Sequence, residues 1–253
     1  MLKEAAPVTT IVVPTLNESG NIGRLIDRIY AHLDSQATAV IVVDDDSTDG
    51  TQDIVRTKSQ TYPGVKLVVR SGLRGLGSAV RLGASYASDG PVIVMDADLS
   101  HDPSYAPDIL SRLAAGYDLV VGSRYVKGGS TVGWPGSRIA VSKVATLIAR
   151  LLFLLPVRDP MSGFVGCQSA RVLTSGFERA DYKFLLEILV RNRQLRVAEV
   201  PIIFRDRRRG KSKLGGGTII LYLALVSRLL LEHVFSGSSD RQASPVSSGQ
   251  GVA

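Results

Sequence analysis

Short runs of consecutive apolar, mostly β-branched residues punctuate the first half of the chain at 9–13, 40–43, 65–69, 92–95 and 119–121. Runs without polar alternation belong to strands buried on both faces. Segments of helix length with turn residues at their ends lie between the first four, at about 20–34, 49–60 and 77–88, and another at about 104–115 precedes the fifth. This alternation predicts βαβ units and a doubly wound α/β fold with a Rossmann-like, mostly parallel sheet flanked by helices. Ligands of such sheets bind beyond the carboxyl ends of the strands. Chemistry is therefore expected in Pro14-Thr15-Leu16-Asn17-Glu18, in Asp44-Asp45-Asp46-Ser47, from Arg70 to Gly77, and in Asp96-Ala97-Asp98.

The second half changes character. Residues 139–157 and 218–235 are strongly apolar, and 236–253 is a Ser/Gly-rich stretch expected to be a disordered tail. A membrane span needs roughly 20 residues nearly free of charge. Lys143 and Arg150 interrupt the first segment, and Arg228, Glu232 and His233 the second. At about 100° per residue, Arg138, Ser142, Lys143, Thr146 and Arg150 share one helical stripe, opposite a wide face of Val, Leu, Ile and Phe. Two readings fit: a helix lying in a membrane interface, and a helix packed on its own domain. The expected organisation is one domain over 1–235, with amphipathic helices at about 139–155 and 218–234.

A content of 45% hydrophobic and 21% charged residues in 253 supports a sizeable core. The single cysteine, Cys167, excludes an intrachain disulfide framework and reads as a buried strand residue. Met1 to Thr10 lacks an apolar core of signal-peptide length, so a cytoplasmic location is expected. The net charge of +7 points to anionic partners: nucleic acid, lipid phosphate or nucleotide. From Arg205 to Lys213 six of nine residues are basic. They lack the interleaved aromatics of a nucleic-acid surface, which favours a loop that closes on phosphates.

Carboxylates gathered at strand ends suit two tasks: accepting hydrogen bonds from a base or ribose, and ligating a hard cation that bridges phosphates. Asp44 with Asp45, and Asp96 with Asp98, are placed for either, while Asp46, Ser47 and Asp49 also fit helix capping. Gly75-Leu76-Gly77 lacks the spacing of a dinucleotide fingerprint; Arg70 or Arg74 beside it would approach a nucleotide or an acidic neighbour. Gly210-Lys211-Ser212 lacks the upstream glycine of a phosphate-binding loop.

Taken together, these stretches resemble the family-2 inverting glycosyltransferases, and among them the dolichol- or polyprenol-phosphate mannose synthases. The resemblance is carried by Pro-Thr-Leu-Asn-Glu at 14–18, Val-Asp-Asp-Asp-Ser-Thr-Asp-Gly-Thr at 43–51, Gly-Leu-Gly at 75–77, and Met-Asp-Ala-Asp-Leu-Ser-His-Asp-Pro at 95–103. It continues with Gly-Ser-Arg-Tyr at 122–125, Asp-Pro-Met-Ser-Gly-Phe at 159–164, Glu-Val-Pro-Ile at 199–202, and Asp-Arg-Arg-Arg-Gly-Lys-Ser-Lys-Leu at 206–214. It implies a GT-A type fold, a GDP-mannose donor, Mg²⁺ or Mn²⁺, and a polyprenyl monophosphate acceptor. Residue by residue it implies donor contacts from Pro14, Asn17, Glu18, Asp44, Asp45, Arg70, Ala97, Arg207 and Lys213. Asp96, Asp98 and Ser100 would hold the metal, and Arg124, Arg138 and Ser142 the acceptor phosphate; Asp45, Asp98 and Arg207 would serve the reaction most directly. Relatives often carry Gln where this chain has Ser100, and Glu where it has Lys211.

The resemblance further implies a peripheral protein on the cytoplasmic face of a membrane, with a separate membrane anchor protein as a possible partner and no nucleic acid. Two alternatives stay open. One is a polyprenyl-phosphate glucosyl- or aminosugar transferase using another nucleotide sugar. The other is a non-catalytic nucleotide-sugar-binding partner of a membrane protein.

Overall fold

The computed structural model describes residues 8–72, 75–177, 183–206 and 216–239, the last stretch with side chains over 220–232. The first half alternates β1 (Thr9–Thr15), α1 (Ile22–His32), β2 (Thr38–Asp44), α2 (Thr51–Thr61), β3 (Val65–Val69), α3 (Leu76–Ala84) and β4 (Val92–Val94). A short 3-10 turn leads into α4 (Ala106–Ala114), followed by β5 (Leu119–Ser123), β6 (Ser130–Val132) and α5 (Gly136–Phe153). Then come β7 (Val165–Cys167), α6 (Arg171–Thr174), α7 (Phe184–Arg191), β8 (Val197–Pro201), β9 (Ile203–Arg205) and α8 (Gly216–Ser239).

Seven strands form one sheet in the order β3-β2-β1-β4-β7-β5-β8, parallel except for β7, which runs antiparallel to both β4 and β5. The five expected strands are all in it. β1 is central, and Ile11, Val12 and Val13 are wholly buried, which is why its apolar residues do not alternate with polar ones. α1 covers one face with Ile22, Leu25, Ile26 and Ile29, spaced for a single helical stripe. On α3, Gly83 lets the helix lie close to the sheet: a Cβ there would meet Val12 and Val43 side chains at 2.4 and 3.0 Å.

The chain steps outward from β1 through β2 to β3, then returns to the other side of β1 for β4. That reversal makes a topological switch point between β1 and β4, where open α/β sheets form their ligand crevice. β6 and β9 pair separately as a two-stranded ribbon.

Residues 1–213 and 214–253 form two compact units. The second unit is described through α8, which continues past Phe235 to Ser239, into the stretch expected to be a tail. No described helix is long and apolar enough to cross a membrane. α5, in the first unit, turns most of its polar stripe inward: Thr146 is buried with Ala149 and Phe153, and Arg138, Ser142 and Arg150 are half-buried, whereas Lys143 and the apolar Val141, Val144, Leu147, Ile148, Leu151 and Leu152 are exposed. A helix packed on its own domain presents the opposite arrangement.

Candidate active site

The loops after β1 and β2 are laced together. Asn17 takes the left-handed conformation that asparagine tolerates (φ 57°). Its amide donates to Ser47 Oγ at 2.8 Å, and its side-chain oxygen accepts from the Thr48 amide at 3.0 Å. The Glu18 amide donates to Thr51 Oγ1, and the Glu18 carboxylate accepts from Asn21 Nδ2. Pro14 pairs with Val43 in the sheet and brings this loop beside Asp44.

Asp44 is wholly buried. It accepts from the Ser47 amide and from Gln52 Nε2 through Oδ1, and from the Ser47 hydroxyl through Oδ2 at 2.5 Å, so it builds the β2–α2 turn. Asp45 accepts from Arg70 Nε at 2.7 Å and from the Gly75 amide at 3.3 Å. Arg70 also donates to Ser78 Oγ and the Gly75 carbonyl. Of the two roles open to Arg70, the acidic neighbour is the one the geometry displays, and the pair ties β2, β3 and α3 together at the rim of the crevice.

The turn after β4 enters the switch point. The Met95 amide continues the sheet by donating to the Val12 carbonyl at 3.1 Å. Asp96 keeps about a third of its side chain exposed (32%). Asp98 is buried, and its Oδ1 accepts from the Ser100 amide at 3.0 Å. Between them Ala97 is buried, and Leu99 is left-handed (φ 61°), which costs a leucine about 1–2 kcal/mol. Strain of this kind persists where the surroundings hold it: the Ser100 carbonyl accepts from the Arg205 amide of β9, and Asp102 caps the following turn and pairs with Arg28 at 2.6 Å.

Ser100 Oγ is buried and has no hydrogen-bond partner among the described residues. An orphaned hydroxyl beside two carboxylates is an oxygen donor set that fits a hard cation. Among the described residues no three His, Cys, Asp or Glu side chains converge on such a point. The remaining positions would fall to water and substrate phosphates, the usual mode for Mg²⁺.

His101 packs under this turn, stacked on Phe164 at 5.2 Å and edge-on to Phe204 at 5.3 Å. Its Nδ1 accepts from the Asp96 amide at 3.3 Å, which places the ring proton on Nε2. Burial lowers its pKa against the pull of Asp96 and Asp98, so the ring is neutral.

Across the crevice, Arg124 follows β5 and is buried. Its amide, Nε and NH2 all donate to Asp159, at 3.0, 2.7 and 2.7 Å. The guanidinium lies 5.1–5.6 Å from the Tyr125, Trp134 and Phe204 rings. Glu199 accepts the amides of Arg158 and Asp159, and Ser162 Oγ donates to the Gly122 carbonyl, so the segment 158–163 is held on every side. Lys183 Nζ donates to the Met161 carbonyl at 3.3 Å. Burial, together with Arg124, lowers its pKa to about 8 against the opposing charges of Asp159 and Asp96.

Arg138, at the start of α5, pairs with Asp206 at 3.0 Å and lies 4.1 Å over the Trp134 ring, its Nε buried without a partner among the described residues. Ser142 Oγ accepts from Tyr125 Oη at 2.7 Å. Arg207 and Lys213 lie outside the described residues.

Sequence reasoning gave no role to His101, Asp159, Lys183 or Glu199. Three of them stand inside stretches that carry the family resemblance; Lys183 is a solitary cation ahead of an apolar helix, a signal that was available. Cys167 is wholly buried, which pushes its thiol far above the ordinary range, as an inert strand residue requires.

The profile of glycosyl transferase family 2 matches residues 10–175. The dolichol-phosphate mannosyltransferase of Pyrococcus furiosus is 39% identical over 223 residues, which make up 87% of this chain and 63% of that protein. This chain thus spans less than two thirds of that relative's length. The enzyme of the same name from Saccharomyces cerevisiae is 34% identical over 232 residues, 87% of this chain and 86% of that one. In fold, the chain is similar to glucosyl-3-phosphoglycerate synthase from Mycobacterium tuberculosis, solved with Mn²⁺, UDP and glucosyl-3-phosphoglycerate. The TM-score is 0.68 at 24% identity, covering 89% of this chain and 81% of that one.

Proposed function

Because this chain belongs to glycosyl transferase family 2 and is a glycosyltransferase, we propose that it transfers mannose from GDP-mannose to a polyprenyl monophosphate with inversion at the anomeric carbon. The observation that carries this reading is the Asp96-Ala97-Asp98 turn at the switch point, with its orphaned Ser100 hydroxyl, in a chain whose relatives are mannosyltransferases.

In this reading the donor's nucleotide lies along the loops after β1 and β2, against Pro14, Asn17, Glu18 and the rim formed by Asp44, Asp45 and Arg70. Ala97 belongs to the same donor side, and Arg207 and Lys213, outside the described residues, are the further donor contacts that the family resemblance implies. A divalent cation, Mg²⁺ or Mn²⁺, held by Asp96, Asp98 and Ser100, would supply Lewis-acid stabilisation of the departing nucleotide diphosphate. The acceptor phosphate has a second pKa near ~6, so its attacking oxygen is already anionic at neutral pH and no strong base is required. Asp159 is paired with Arg124 through three hydrogen bonds, which supports a positioning role for it. Arg138, with its unpartnered Nε, and Ser142 face the acceptor, while the Arg124 guanidinium adds positive charge fixed in orientation by Asp159.

The outward apolar face of α5 supports peripheral binding to a membrane, where the lipid acceptor resides. Placement on the cytoplasmic face, with or without a separate anchor protein, belongs to the same proposal. Asp98→Ala tests enzyme against binding partner: turnover of GDP-mannose with a short polyprenyl phosphate is expected to fall by at least ~100-fold, as removal of a key electrostatic group does. Equal inertness of the wild type and the variant, with nucleotide-sugar binding retained, would favour the non-catalytic alternative.

A further inference from the structure

Gly163 is not demanded by its own backbone. Its φ lies outside the left-handed region, so alanine would adopt the same conformation without strain. Room is what alanine lacks. A Cβ at 163 would stand 3.3 Å from each carboxylate oxygen of Asp96 and 3.3 Å from His101 Cε1, tighter than ordinary contact. The bare Cα of Gly163 therefore leaves beside the Asp96 carboxylate a clearance that any side chain would close.

On another side of the carboxylate stands His101, with Nδ1 3.7 Å from Asp96 Oδ2. Its Nδ1 holds the Asp96 amide, and its ring is fixed between Phe164 and Phe204. Gly163 and Phe164 are neighbours, so one dipeptide both leaves room for the carboxylate and stacks on the imidazole that steadies its backbone. That dipeptide cannot drift. It is anchored by Ser162 Oγ on the Gly122 carbonyl, by Asp159 on Arg124, and by Lys183 on the Met161 carbonyl.

A carboxylate turns easily about its last torsion, where the preference is broad. Asp96 is partly exposed; among the described residues neither of its oxygens has a close hydrogen bond, and the neutral His101 ring stands with Nδ1 3.7 Å from Oδ2. The clearance at Gly163 and the His101 ring bound the directions it can take. We propose that Gly163 and His101 are positioning residues that together seat the Asp96 carboxylate in the orientation that receives the divalent cation. The proposal rests on reading Asp96 as a cation ligand, and it assigns a purpose to a glycine that backbone geometry leaves unexplained.

The test measures Mn²⁺ binding to the full chain in the presence of GDP, by the electron paramagnetic resonance of free Mn²⁺, for wild type, Gly163→Ala and His101→Phe. His101→Phe keeps a ring between Phe164 and Phe204 but offers no acceptor to the Asp96 amide. Both variants are expected to bind Mn²⁺ about 10-fold more weakly, the size of effect that groups orienting a ligand have. Each should keep a cooperative melt, and the KM for Mn²⁺ should rise while turnover at saturating Mn²⁺ recovers. Wild-type affinity in both variants would overturn the seat while leaving the cation site standing. Absence of Mn²⁺ binding by the wild type with GDP would overturn the cation reading itself, and the seat with it.

Discussion

Asp159→Ala removes a wholly buried partner of a buried guanidinium. The Asp159 side chain is 0% exposed and that of Arg124 8%, and three hydrogen bonds of 2.7–3.0 Å join them. Deleting one member of such a pair leaves an uncompensated buried charge, which costs about 3–5 kcal/mol. Lys183, whose charge also faces Asp159, adds to the repulsion left behind. The Tyr125, Trp134 and Phe204 rings around Arg124 remain and offset about 1 kcal/mol. The expected loss is therefore about 3 kcal/mol, or roughly 6–12 °C in melting temperature for a domain of this size. Urea unfolding followed by circular dichroism measures it, with the slope checked for two-state behaviour. The double variant Asp159→Ala with Arg124→Met removes both charges and should recover most of the loss. A single variant within about 1 kcal/mol of wild type, or a double variant less stable than the single, would refute the buried-pair account.

Two further outcomes follow from the same geometry. Leu147→Asp with Leu151→Asp on the exposed face of α5 should lower co-sedimentation with anionic liposomes by roughly 100-fold, since about 3 kcal/mol of apolar burial is lost. Charge reversal at Lys143 and Arg150 should cost about 1 kcal/mol for each residue near the surface; binding unchanged by all four substitutions would remove α5 from the membrane contact. Lys183 gives a pH signature. Its folded pKa of about 8 lies below the ordinary lysine value of 10.5, so its burial penalty is fully present below pH 8 and is relieved as pH rises toward 10.5. The stability of wild type relative to Lys183→Met should therefore improve by up to roughly 3 kcal/mol across that window; a flat or falling difference contradicts the burial.

The parts of this architecture that were legible in the sequence are those with strong local signals. Five apolar runs became five strands of the main sheet: four are buried on both faces, and the edge strand β3, with Lys66 and Val69 exposed, still shows four apolar residues in five. Asp96 and Asp98 were legible because the run before them ends so abruptly. The antiparallel β7 and the paired β6 and β9 have three residues each, too few to display a period, and their partners are distant in sequence. β8 mixes Ala, Glu and Pro with its valines, and its place beside β5 is decided by packing. For α5 the stripe was visible but its direction was not: a helical pattern defines two faces, and only the fold turned the polar one inward. Arg70 shows the same limit, since a basic residue near a glycine turn reads equally as a nucleotide contact and as the partner of Asp45. The roles of His101, Asp159 and Gly163 depend on contacts across 5 to 67 positions, which no local pattern encodes.

The central claim is tested most directly by a donor panel. The purified full chain is supplied with a polyprenyl phosphate, Mn²⁺ and, in separate reactions, GDP-mannose, UDP-glucose and a UDP-aminosugar, and the lipid product is identified by mass. The account predicts polyprenyl-phosphate mannose from GDP-mannose alone, lost on addition of EDTA and regained with Mg²⁺ or Mn²⁺; transfer only from a UDP-sugar would contradict it.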